Sequence, residues 1–99
     1  MKVLKKDVEF PKIECSGDIV QTTYADGNLA ITLEPAIGKL SVNIIEKAHM
    51  LKDNQFFVEL SKGGYLIHDE CLTTGLFKKV GTPFKMGFGE FQIWELIGG

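Results

Sequence analysis

The chain has 99 residues, 44% of them hydrophobic and 24% charged, with a formal net charge of −2. This length suits one modest core and is too short for two ordinary domains, so we expect a single domain over 1–99. No apolar run approaches the ~18–20 residues of a membrane-spanning helix, and no hydrophobic signal segment follows the first lysines, which favours a cytoplasmic protein.

The first predicted elements form a β-hairpin. Residues 19–24 are rich in β-branched side chains, and in residues 29–34 apolar and smaller or polar residues alternate with the period of a strand. Asp26-Gly27-Asn28 between them is typical turn chemistry, because Gly and Asn adopt positive φ at low cost. We therefore expect 19–24 to pair with 29–34. A second alternating run, 40–44, predicts a further strand.

The second half of the chain mixes helix and strand. Residues 46–52 indicate one helical turn or an irregular connection, and 54–60 indicate a strand. Residues 65–75 have apolar residues near helical spacing and end at Gly75, which suits a helix C-cap. The last stretch, 84–93, alternates as strands do, with a change of phase at Gly89-Glu90 that predicts a β-bulge.

Together these elements predict an α+β fold: a mainly antiparallel β-sheet of four to six strands, packed on one short helix near 64–74. The alternating positions and the single tryptophan predict the buried core. Its expected members are Leu29, Ile31, Leu33, Leu40, Val42, Ile44 and Trp94.

The tetrapeptide His68-Asp69-Glu70-Cys71 gathers four residues that can bind metals or catalyse reactions. On a helix only His68 and Cys71 would share a face, and two ligands do not complete a zinc site. Cys15 and His49 do not add a recognised metal-ligand spacing. We therefore expect no metal site, with Cys71 as a small core residue and the two intervening acids in solvent.

Nucleophilic catalysis by Cys71 is also disfavoured. A reactive thiol needs an electropositive neighbourhood, and Asp69 and Glu70 would have the opposite effect. Gly87-Phe88-Gly89 is too short for a phosphate-binding loop. We expect no catalytic residue, no cofactor and no enzymatic activity. A Cys15–Cys71 disulfide is possible by count, although two free thiols are favoured in a protein without a secretion signal.

Charge is distributed unevenly along the sequence. Between residues 7 and 34 lie six acids and one lysine, whereas 71–89 contain lysines but no acid. These charges either solvate strand faces or form a contact surface. For a protein-binding surface the candidate residues are Asp18, Asp26 and Glu34. For the alternative, nucleic-acid binding, lysines and phenylalanines interleave along 77–88; those residues are Phe77, Lys78, Lys79, Phe84, Lys85 and Phe88.

The run YADGNLAITL at 24–33, followed by GKLSVN at 38–43, resembles a small domain-of-unknown-function family carried by plasmids, integrative elements and phages. Thr74-Gly75 and Gly87-Phe88 fall where that family has a Thr-Gly pair and a final Gly-Phe segment. The chain departs from the pattern at Gly27-Asn28 and at 61–64. The resemblance spans about residues 20 to 95 and supplies no catalytic residues.

This resemblance implies a mobile genetic element in a bacterial host cell. It favours a protein-binding inhibitor or modulator of a host protein or ribonucleoprotein complex; anti-CRISPR and other anti-defence proteins are one such class. The alternatives are a nucleic-acid-binding accessory protein and, least favoured, a small Cys-dependent enzyme. No membrane partner is expected, and direct nucleic-acid binding is disfavoured. The chain has eleven lysines and no arginine, which argues against sequence-specific DNA recognition.

Overall fold

A computed structural model describes residues 2–11, 14–34, 38–60 and 65–98. In this part of the chain seven strands, one 3₁₀-helix and one α-helix follow one another. In chain order they are β1 (Lys2–Phe10), β2 (Cys15–Thr23), β3 (Leu29–Glu34), β4 (Gly38–Lys39), the 3₁₀-helix (Ile45–Met50), β5 (Gln55–Glu59), α1 (Tyr65–Thr73), β6 (Phe77–Met86) and β7 (Gly89–Leu96).

The strands form two antiparallel sheets. One has the order β1-β2-β3-β4 and the other β5-β7-β6. The predicted α+β class, its antiparallel pairing and its short helix are confirmed. The division into two sheets was not part of the prediction.

The sequence pattern does not predict strand β1. Its register against β2 shifts between Val3 and Lys5 and again between Lys5 and Val8, and Asp7 has a φ of 53°. Each shift changes which residues face the core, so the strand lacks the period-two pattern that identifies strands in a sequence. The exposed Lys5 and its neighbour Lys6 also suit an edge strand, where charges oppose unwanted strand pairing.

The predicted hairpin is confirmed. Strand β2 pairs with β3 from Asp18–Glu34 to Thr23–Leu29 in unbroken register. The connecting turn is closed by a bond from the Tyr24 amide to the Asn28 carbonyl, 2.8 Å long, and Gly27 has a φ of 88°. A side chain at that φ would be strained, which explains the glycine.

The predicted strand 40–44 was wrong: β4 is Gly38–Lys39, and the chain leaves the first sheet directly after it. The amides of Leu40 and Ser41 both donate to the Ile31 carbonyl, over 2.9 and 3.3 Å. The Ser41 hydroxyl in turn accepts a 2.9 Å hydrogen bond from the Ile31 amide. A side chain thus replaces the backbone acceptor that a continued strand would have supplied.

One residue later the same segment joins the second sheet. Val42 forms an isolated antiparallel bridge with Phe57, and its amide donates to the Phe57 carbonyl over 2.9 Å. Residues 38–42 therefore link β3 of one sheet to β5 of the other. The connection 46–52, predicted as a helical turn or an irregular segment, is largely the 3₁₀-helix.

The helix prediction is confirmed by α1. The chain reverses after it at Gly75, which has a φ of 80°. The hydroxyls of Thr73 and Thr74 donate to the carbonyls of Glu70 and Cys71, over 2.7 and 2.6 Å. These bonds satisfy carbonyls that the end of a helix leaves unpaired.

The predicted bulge at Gly89-Glu90 was wrong. Met86 and Gly89 are cross-strand partners, so Gly87 and Phe88 form a two-residue turn between β6 and β7. The change of phase in the sequence marks this reversal of the chain. The register shift lies instead between Val80 and Phe84, where three residues of β6 oppose one residue of β7.

The core lies between the two sheets and α1. Its buried residues are Val8, Phe10, Ile19, Ile31, Leu33, Leu40, Phe56, Val58, Cys71, Leu76, Phe77 and Trp94. Of the seven predicted core residues, five are buried, whereas Leu29 and Val42 are only half-buried. Both lie near strand ends or links, where the neighbouring strand does not cover the side chain fully.

Candidate interaction surface

The three acidic residues proposed for protein binding lie in two places. Asp18 and Glu34 are direct cross-strand partners at one end of the β2–β3 hairpin. Asp26 lies in the turn at the other end of the hairpin. The two ends are about 17 Å apart, because β2 takes five steps of ~3.3 Å each from Asp18 to Thr23. Like charges directly opposite each other on a sheet repel, so Asp18 and Glu34 form a local negative patch that Asp26 does not join.

The carboxylate of Asp26 accepts hydrogen bonds that stabilise its turn. One of its carboxylate oxygens accepts from the Asn28 amide over 3.2 Å, and the other accepts from the side chain of Asn43 over 3.0 Å. Asn28 also donates to the side-chain oxygen of Asn43 over 3.1 Å. The bond from Asn43, followed by that from Asn28, holds the pKa of Asp26 below its ordinary value.

The tetrapeptide 68–71 lies on α1, and all of its residues except Asp69 are buried. Cys71 is fully buried in the core, and burial, aided by the neighbouring Glu70, raises the pKa of its thiol to about 12. Glu70 is 9% exposed, so the expectation that it is solvated was wrong, whereas Asp69 is exposed. Both Cys15 and Cys71 are free thiols. Among the residues that the structure describes, no three metal-binding side chains cluster.

The lysines and phenylalanines of 77–88 point in different directions. Phe77 is buried in the core, at 3% exposure, and cannot stack on a base. Lys78 forms a 3.5 Å ion pair with Glu95. Lys79, the next residue on the strand, belongs to the opposite face. The segment therefore lacks the single face of cations and aromatic rings that binds single-stranded nucleic acid.

The three-stranded sheet has an apolar outer face that the sequence analysis overlooked. Cross-strand partners share a face, and Trp94 marks the face that packs on the core. The opposite face carries what we call the apolar strip, in which all five side chains are half-buried. It consists of Val80, Phe84 and Met86 on β6 and Phe91 and Ile93 on β7.

Aromatic contacts hold the apolar strip together. The ring of Phe84 lies 5.9 Å from that of Phe57 and 6.0 Å from that of Phe91, measured between centroids. Phe57 itself is almost fully buried. At Gly89 an added Cβ would come within 2.8 Å of the Phe91 ring. The strip thus continues from the buried Phe57 to the tip of the β6–β7 hairpin.

Phe88 at the hairpin tip is fully exposed, whereas Phe10, Phe56, Phe57 and Phe77 are buried. Phe88 follows Gly87, whose φ is 61°. Strands β6 and β7 are paired up to Met86 and Gly89, the residues on either side of this turn. Glycine at the first central position is typical of a type II′ turn. The flanking residues, Lys85 and Glu90, are cross-strand partners of opposite charge.

A polar cleft of about 300 Å³ lies between the hairpin turn and the residues around the 3₁₀-helix. Its lining includes Gln21, Asn28, Lys52 and Gln55. The side chain of Gln55 accepts from the Lys52 amide over 2.9 Å and donates to Glu95 over 3.0 Å. The polar groups of Gln55 are thus used within the protein.

The sequence contained one signal for this surface. The sequence pattern predicts strand positions at Phe84, Met86, Phe91 and Ile93, but a bulge at Gly89-Glu90 would place them all on one strand instead of on two adjacent strands. With a turn at Gly87-Phe88, the two alternating runs fall side by side on one face. The same correction places Phe88 at a tip instead of within a strand.

No family model, curated protein or solved structure matches this chain. Within the described ranges, no helix is long and apolar enough to cross a membrane. The fold and surface define a small α+β domain that presents an apolar sheet face and an aromatic hairpin tip.

Proposed function

We propose that this protein binds another protein stoichiometrically, as an inhibitor or modulator and not as an enzyme. The observation that carries the proposal is the exposed Phe88 in the turn of a hairpin whose strands are paired up to that turn, next to the apolar strip. Leaving an aromatic ring in water forgoes the ~1.5–3 kcal/mol that burial of such a side chain provides. A binding partner would recover that free energy.

The geometry suits an interface anchor. Aromatic residues dominate the few positions that contribute most of the binding free energy at protein interfaces. Because Phe88 lies in a two-residue turn between paired strands, little backbone freedom is lost when it enters a pocket. The half-buried strip beside it would supply the surrounding apolar contact that excludes water.

The charges near the tip favour a protein over a nucleic acid. Lys85 and Glu90 flank Phe88 with opposite signs, whereas a nucleic-acid site surrounds its aromatic rings with cations. The mobile-element resemblance supports a host protein or ribonucleoprotein complex as the partner class, with an anti-CRISPR or other anti-defence role as the narrower proposal.

The acidic residues would add electrostatic complementarity. Asp18 and Glu34 face each other across β2 and β3, and a basic partner surface would relieve their repulsion. Such a contact speeds association and weakens as salt is raised. We keep Asp26 as a candidate as well, although its hydrogen bonds to the turn mean that its replacement changes local structure too.

The test compares two single substitutions at exposed apolar residues. Phe88→Ser removes the anchor, and Ile45→Ser, at a residue 68% exposed on the 3₁₀-helix, is the matched control. Tagged wild-type and variant proteins are incubated with bacterial lysate, both untreated and nuclease-treated. The captured partner is then purified and titrated calorimetrically. We expect one partner per chain and an affinity loss of about 30-fold or more for Phe88→Ser only, the 2 kcal/mol of an interface hot spot.

Three results would contradict the proposal. Equal affinity of Phe88→Ser and Ile45→Ser would remove Phe88 as an anchor. Loss of capture after nuclease treatment would favour a nucleic-acid-binding protein. Turnover of the partner at sub-stoichiometric amounts of this protein would show an enzyme. Circular dichroism and melting of both variants establish that neither substitution unfolds the domain.

A further inference from the structure

His68 occupies an unusual position for an ionisable side chain. It is 8% exposed, and its ring meets the Trp94 ring edge-on with centroids 5.6 Å apart. Its Nδ1 atom is buried and has no hydrogen-bond partner in the structure as described. Since a protonated imidazole carries a hydrogen on each nitrogen, the ion would bury a charged donor without an acceptor at this site.

His68 also lies where α1 is attached to the sheet. Toward the C-terminal end of the helix, Cys71 is fixed in the core and the chain continues to Leu76, whose carbonyl accepts from the amides of Ile97 and Gly98 over 2.7 and 3.2 Å. His68, one turn earlier, packs on Trp94. Gly75, with its positive φ, lies between α1 and β6, so Cys71 is located between it and His68 in the chain.

We propose that His68 is an acid-sensitive latch: its neutral ring keeps α1 docked on Trp94, and uptake of a proton releases that turn of the helix. This device is independent of the proposed partner. It differs from general acid unfolding because the change begins at α1, while the β-sheets remain paired.

The direction of the effect follows from the surroundings of His68. Burial lowers the pKa of the imidazole below its ordinary value; Asp69 on the same helix opposes the shift and Lys79 on β6 adds to it. The packed strand β7 contributes the uncharged Trp94. A lowered pKa means that the undocked ring binds a proton more readily than the docked ring. The docking free energy is therefore complete above about pH 6.5 and declines as the pH falls below it.

The chain offers a sharp experiment, because it has one tryptophan and two histidines. We would record Trp94 fluorescence and hydrogen exchange of the α1 amides between pH 5 and 8, corrected for intrinsic exchange. The variants are His68→Phe, which keeps an aromatic edge toward Trp94, and His49→Gln, which removes the other, exposed histidine. An imidazole NMR titration of the wild-type protein follows His68 directly and requires no variant to fold.

We expect wild type and His49→Gln to show the same fluorescence change below pH 6.5. Protection of the α1 amides should fall by up to about tenfold per pH unit there, while amides of β2 and β7 keep their protection. In His68→Phe both changes should disappear. A His68 that titrates at or above 6.5 in wild type, a change that persists in His68→Phe, or simultaneous loss of protection in α1 and the sheets would each overturn the latch.

Discussion

At the scale of single residues, Ser41 shows how one side chain can replace a strand. Its hydroxyl accepts from the Ile31 amide over 2.9 Å and lies 2.8 Å from the Tyr24 hydroxyl. Burial raises the pKa of Tyr24, and the Ser41 bond partly offsets that effect. Because Ser41 is 2% exposed, water cannot take over these interactions if the hydroxyl is removed.

We therefore predict that Ser41→Ala lowers the free energy of unfolding by about 1–3 kcal/mol, the cost of leaving a buried donor unsatisfied. Urea unfolding followed by circular dichroism measures this value. Ser16→Ala, at an exposed residue of β2, is the control and should change stability by less than about 0.5 kcal/mol. Equal effects of the two substitutions would show that the Ile31 amide finds another acceptor.

At the scale of elements, the β2–β3 hairpin depends on side-chain bonds that pass beyond its own turn. Asp26 binds Asn28 within the turn and Asn43 in the segment that follows β4. The turn is thereby tied to the link between the sheets. These hydrogen bonds constrain a short loop whose residues 25–27 are exposed.

We predict that Asp26→Ala lowers the melting temperature, whereas Glu34→Ala leaves it unchanged or raises it by relieving repulsion from Asp18. The pKa of Asp26 is held below 3.8, so its stabilising effect is complete above that pH and is lost as the pH falls through the lowered value. Melting scans from pH 7 to pH 2 should show the difference between wild type and Asp26→Ala shrinking in acid. A constant difference would exclude the carboxylate as its source.

At the scale of the whole molecule, Val42 joins the two sheets. Its backbone bridges β5 at Phe57, while Leu40 and Ser41 just before it bind β3. The core between the sheets therefore depends on the placement of this short link. Strands β3 and β5, which are distant in sequence, are in contact with each other.

We predict that Val42→Ala destabilises the protein by about 1 kcal/mol, the low end for a truncated aliphatic side chain, because Val42 is only half-buried. Even this amount is a noticeable part of the ~5–10 kcal/mol that stabilises a domain of this size. Val3→Ala, at a residue 42% exposed, is the matched control and should be nearly neutral. Denaturant unfolding of the two variants measures the change in the free energy of unfolding. A loss above about 3 kcal/mol for Val42→Ala would contradict the prediction and indicate that Val42 packs more tightly than its exposure implies.

Local chemistry in the sequence determined much of this protein. Alternation identified the β2–β3 pair, turn residues located Gly27, and helical spacing with Gly75 identified α1, because each signal depends on neighbouring residues alone. The sequence also placed Glu70 beside Cys71, and burial together with that neighbouring acid raises the pKa of the Cys71 thiol to about 12.

Tertiary structure alone decided the rest. Because of its register shifts, β1 lacks the alternation of apolar and polar residues that identifies a strand in a sequence. The chain reversal at Gly87-Phe88 changes the phase of alternation in the same way as a bulge would. The separation of Asp26 from Asp18, the burial of His68 against Trp94 and the exposure of Phe88 depend on which strands become neighbours. Those neighbours come together through contacts between residues far apart in the chain, which no local pattern in the sequence records.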